Sequence, residues 1–148
     1  MTVKKPIVFL LVLLTVLWGG ACGTAPDEGE ARNVLTDFLQ ALHAGDYAAA
    51  AALYGGDWQV LRDWNPDVPP DDGAALLRQG CEVNGLQCLP LGEVLNSGAV
   101  PKGYRFTVTL LAADGAPFET PDGRASFTFS VLRQDGGFSV QDLPPYLP

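Results

Sequence analysis

Apolar residues recur along this chain in two rhythms, at helical spacing through the first half and in alternation through the second. Val34, Leu35, Phe38, Leu39 and Leu42 fall on one stripe, which predicts an amphipathic helix over 30–42. Gly45 is placed to end it and Asp46 to cap a second helix, which runs from Tyr47 through Ala48–Ala52 to Leu53 and Tyr54. Alanine is the best helix former, and its small side chain lets a neighbour approach closely. Gly55-Gly56 breaks that helix, and Asp57 can cap a short piece holding Trp58, Leu61 and Trp64. A proline-rich bend follows from Asn65 to Pro70. Asp71 and Asp72 then favour a new helix start, carried on by Ala74 to Arg78, weakened at Gly80 and stopped by Asn84-Gly85 at the latest.

Beyond Gln87 the texture changes. Cys88–Leu95 is a predicted first strand, in which Pro90 argues for an edge or a bulge. Tyr104–Ala112 alternates, with Phe106, Val108 and Leu110 on one face and Arg105, Thr107 and Thr109 on the other. Arg124–Gln134 repeats the pattern with Phe127, Phe129 and Val131 against Ser126, Thr128 and Ser130. Asp135-Gly136 between alternating runs signals a hairpin into a last strand with Phe138 and Val140. Helices followed by an antiparallel meander give an α+β fold with helices on one side of the sheet.

The first residues have a different purpose. Lys4 and Lys5 precede a run from Ile7 to Trp18 broken only by Thr15, and Gly19, Gly20 and Ala21 follow. That run is short of the roughly 20 apolar residues that span a bilayer. A charged start, a short apolar stretch and a small-residue exit describe a secretory signal. The Gly19-Gly20-Ala21-Cys22 segment resembles the lipobox of bacterial lipoproteins, although Gly19 stands where leucine is usual. The resemblance implies a diacylglyceryl group on Cys22 and a chain divided into a signal peptide 1–21, a short linker 22–29 and a single domain 30–148. A retained single-span anchor and ordinary cleavage near Ala21 are the alternatives. Lipidation places the protein outside the cytoplasm, held to the membrane by acyl chains.

Composition narrows the rest. Of 148 residues 47% are hydrophobic, enough for one domain with a real core. Loss of Lys4 and Lys5 with the signal leaves seven basic against seventeen acidic residues, a net of −10. No basic stripe exists to bind nucleic acid, and an anionic membrane offers this net charge no attraction. Three cysteines are present; with Cys22 lipidated, Cys81 and Cys88 remain as a pair in oxidising surroundings, where a disulfide is the default.

The order of elements resembles the NTF2-like (cystatin-like) superfamily, in its branch of uncharacterised bacterial lipoproteins. Val34-Leu35-Thr36-Asp37-Phe38-Leu39-Gln40-Ala41-Leu42 with Gly45-Asp46-Tyr47 is similar to its opening helix pair. Phe127-Thr128-Phe129-Ser130-Val131, Gly137-Phe138-Ser139-Val140 and the Leu143–Pro148 ending are similar to its C-terminal half. The resemblance implies a strongly bent antiparallel sheet wrapping the first helix as a conical roll. Its members include isomerases, dehydratases, ligand carriers and silent partner-binding modules, so fold alone does not choose function.

Chemistry-bearing residues are few. Enzymes of that superfamily use a carboxylate or histidine inside the cone, whereas the positions expected to face it here are Phe106, Val108, Leu110, Phe127, Phe129 and Val131. His43, in the last turn of the first helix, reads as an exposed C-terminal histidine. Asp114, Asp122 and Asp135 precede glycines as turn formers, and Asp57, Asp63, Asp67, Asp71 and Asp72 read as caps and solubilising charge rather than metal ligands. No cofactor motif is present. Tyr54, Trp58 and Trp64 are the candidate mouth of a pocket for a small apolar ligand, or else plug the end of the roll. The expected function is therefore a membrane-anchored, non-enzymatic module binding a small ligand or a protein partner. An isomerase or dehydratase acting in the cone and a purely structural lipoprotein are the alternatives. No oligomeric state follows from the sequence.

Overall fold

Helix α1 spans Pro26–Ala44 in the computed structural model of the chain, which describes residues 26–148. It starts four residues earlier than the apolar stripe alone indicates. Proline is pre-organised for the first helical position, where its missing N–H leaves nothing unpaired, and Asp27 and Glu28 favour the positive end of the helix. The described part of the expected linker 22–29 is thus helix. Ala31, Leu35, Phe38, Leu39 and Leu42 form the buried stripe.

Gly45 turns the chain with a φ of 75°, and Asp46 accepts the Ala49 N–H at 3.1 Å to cap α2, Tyr47–Leu53. Asp57 accepts the Gln59 N–H at 2.8 Å ahead of α3, Gln59–Trp64. Asp72 caps α4, Gly73–Gln79, by accepting the Ala75 N–H at 2.9 Å. The chain then widens into a π-helical turn, Gly80–Asn84, ended by Gly85 at a φ of 94°. That left-handed backbone admits glycine with little strain. Cys81 and Cys88 stand at disulfide distance across this turn, their Cα atoms 5.6 Å apart.

Four strands follow in the order β1-β2-β3-β4, each antiparallel to the next, as an open sheet. Strand β1 is Leu91–Val100, displaced from the predicted 88–95. Pro90 has no N–H to offer a ladder, and register shifts interrupt the pairing between Leu91 and Asn96, so the regular ladder lies in Asn96–Val100. Pro101 and Lys102 form the turn into β2, Gly103–Leu110. Strand β3, Phe127–Gln134, begins later than predicted because Arg124 is used in a turn: its N–H donates to the Thr120 hydroxyl and its carbonyl accepts the Thr120 N–H. Asp135 and Gly136, both at positive φ (49° and 88°), close the predicted hairpin into β4, Gly137–Val140.

Helix α1 lies on the inner face and packs most extensively on β4, then β3, β2 and β1. Phe106, Val108, Leu110, Phe127, Phe129, Val131 and Val140 bury their side chains in one core with the α1 stripe. The free side of β4 is covered by Tyr54-Gly55, where the Gly55 N–H donates to the Val140 carbonyl at 2.9 Å.

Candidate functional site

The six strand positions expected to face inward are buried, from 0% exposed at Phe106 to 6% at Phe127. They meet Leu35, Phe38 and Leu39, so the space between α1 and the sheet is filled by hydrocarbon. Among the described residues the buried polar side chains are Asn65 and Thr120, and each is hydrogen-bonded. Asn65 donates to the Leu61 carbonyl and to Asn84 Oδ1, both at 2.8 Å, which ties α3 to the π-helical turn.

Tyr54, Trp58 and Trp64 occupy two separate places. Tyr54 is 7% exposed, stacks on Phe38 at 5.9 Å and takes Trp58 edge-on at 4.8 Å. Its hydroxyl donates to the Asp57 carbonyl at 3.0 Å. Burial, reinforced by the Asp142 and Asp57 carboxylates, pushes the Tyr54 phenol up to about 12. Trp64 instead stacks on Tyr146 at 4.5 Å. The C-terminal segment carrying Tyr146 is fastened to the disulfide loop, where Gln87 N–H donates to Pro145 and Leu147 N–H to Gly85, both at 2.9 Å. A surface hollow of about 410 Å³ borders Trp64, Val83 and Tyr146, and another of about 220 Å³ borders Trp58.

A hollow of about 480 Å³ that the sequence did not reveal opens at the beginning of α1, lined among others by Asp27, Lys102, Tyr104, Arg133 and Phe138. Alternation carries the inner face of β3 from Val131 to Arg133. The Arg133 guanidinium lies 4.3 Å from the centre of the Phe138 ring and 3.2 Å from the Asp27 carboxylate. A charged residue at the next inward position after Phe127, Phe129 and Val131 was the available signal.

The remaining titratable groups have local roles. His43, in the last turn of α1, sits 3.3 Å from the Cys88 carbonyl through Nδ1. Asp114 accepts the Ala116 N–H at 3.0 Å, and Asp142 accepts the Ser130 N–H at 2.6 Å. The Thr120 hydroxyl, bonded to the exposed Asp122, lowers the carboxyl below its usual range, with Arg124 nearby assisting. Among the described residues no three His, Cys, Asp or Glu side chains gather as a metal-holding group, and no helix is long and apolar enough to cross a membrane. Cys22 lies outside the described residues. No protein-family model matches the chain, and no curated protein matches it either.

Proposed function

We propose that this chain is an extracytoplasmic lipoprotein, tethered through an acylated Cys22, whose NTF2-like roll binds a protein partner on its outer surface rather than a molecule in its interior. The observation that carries this reading is the filled inner face: Phe106, Val108, Leu110, Phe129 and Val131 are at most 1% exposed against α1. A carrier needs room there, and an isomerase or dehydratase needs an ionisable side chain there. Hydrocarbon stands in both places. The helices-then-meander order, with α1 packed across all four strands, supports the NTF2-like assignment. The charged start, short apolar run and Gly19-Gly20-Ala21-Cys22 exit support the tether.

Native mass spectrometry of the protein extracted from membranes tests the tether and the filled interior. The expected mass is that of the chain from Cys22 onward with its acyl chains and no small molecule bound. An unmodified N-terminus would remove the tether, and a stoichiometric small molecule surviving extraction would turn the reading toward a carrier.

A further inference from the structure

The net charge of the body after Cys22 predicts repulsion from an anionic bilayer, but the charges are not evenly distributed. Residue 22 is four positions from Pro26, a covalent reach of at most about 14 Å. An anchor at Cys22 therefore holds the beginning of α1 close to the headgroups. The β1–β2 turn and the β3–β4 turn meet α1 at this same end: Ser97 Oγ donates to Glu28 at 2.6 Å, Arg133 pairs with Asp27 at 3.2 Å, and the Arg133 N–H donates to the Lys102 carbonyl at 2.7 Å.

Four of the seven basic residues after Cys22 lie here: Arg32, Lys102, Arg105 and Arg133. They face five acidic ones, Asp27, Glu28, Glu30, Asp135 and Asp142, of which Asp27 is paired with Arg133, Glu28 with Arg32, and Asp142 accepts the N–H of Ser130, the strand neighbour of Arg105. The rest of the body has three basic residues against twelve acidic. The 19 residues of α1 place its other end about 28 Å away. There Asp46 and Asp72 border one hollow together with Arg78. Physiological salt screens charge beyond about 8 Å, so headgroups held near Pro26 sense the nearly balanced end and not the strongly acidic remainder.

On the reading that Cys22 is acylated, we infer that the end built from the start of α1 and the β1–β2 turn rests on anionic phospholipid headgroups, with Lys102 and Arg105 meeting lipid phosphates and the acid-rich far end of α1 directed away. Both side chains belong to exposed residues on one hairpin. A basic residue near an anionic surface raises its occupancy about fivefold.

Full-length acylated protein reconstituted in vesicles provides the test. A fluorophore is attached at Ala99→Cys, beside the turn, or at Ala48→Cys on α2, both exposed positions. Quenching by headgroup-spin-labelled lipid is then compared in phosphatidylcholine vesicles with and without phosphatidylglycerol. With phosphatidylglycerol, the label at 99 is expected to be quenched several-fold more than the label at 48. Replacing both basic residues, Lys102→Glu with Arg105→Glu, should return it to the level seen in phosphatidylcholine alone. Equal quenching at the two positions, or indifference to the anionic lipid and the double variant, overturns the orientation. Mass spectrometry of the same sample separates the two ideas. An acylated Cys22 with equal quenching sinks the orientation alone, whereas an unmodified Cys22 sinks the tether and the orientation with it.

Discussion

Phe38 is where the fold is most exposed to experiment. The side chain is fully buried in the middle of α1, stacks on Tyr54 at 5.9 Å, and shares the core with Phe106, Phe129 and Val140. Phe38→Ala removes the ring and leaves a hole between a helix and a sheet that cannot collapse together without breaking other contacts. Such truncations cost about 3–5 kcal/mol. A domain of this size has roughly 6–18 kcal/mol to lose, at about 0.05–0.15 kcal/mol per residue. The expected drop in Tm is about 12–20 °C, at about 4 °C per kcal/mol for this length. Thermal melts by circular dichroism and urea titrations of the same protein measure it. Val83→Ala, at a side chain 69% exposed, is the control and should change stability by no more than about 0.5 kcal/mol. A loss below about 1 kcal/mol for Phe38→Ala would refute the filled interior, and with it the exclusion of an interior ligand.

Two further outcomes are expected. Closing the eight-residue loop between Cys81 and Cys88 is worth about 2.5 kcal/mol in the chain-entropy account, so Cys81→Ser with Cys88→Ser should lower the urea midpoint correspondingly. Thiol labelling of the denatured, unreduced protein should leave both cysteines untouched. The Tyr54 phenol, held up to about 12, ionises in the unfolded chain first, near its ordinary value. Its contribution to stability is complete below about pH 10 and is lost as pH rises towards about 12, a decline that urea titrations should detect and that Tyr54→Phe should flatten.

What could be read from the sequence was local. Asp46 and Asp72 cap the helices expected of them because an N-cap needs only a side chain and an N–H three residues on. Asp135-Gly136 makes its hairpin because two adjacent residues at positive φ are a property of the turn itself. The burial of Phe106 to Val131 followed from alternation alone. What escaped depends on distant partners. Asn96-Ser97-Gly98 has no apolar rhythm and becomes strand through its pairing with Arg105 to Thr107. The π-helical turn at Gly80–Asn84 is held from across the chain by Asn65 and by the C-terminal segment. Trp64 finds its neighbour 82 positions away, which no local pattern announces. The hollow at Arg133 exists because the first turn of α1 and two hairpin ends converge, a fact of topology rather than of spacing.

Because α1 makes its broadest contact with the sheet at β4, the opening helix cannot be fully covered until the closing strand exists. A nascent chain that has emerged only as far as β3 still shows part of a greasy helical face to water. Local structure can flicker there, but the cooperative transition must await nearly the whole polypeptide. Loop closure over such sequence distances slows folding, and on the proposed export such slowness would be an asset to a thread that crosses the membrane before it becomes too wide to fit.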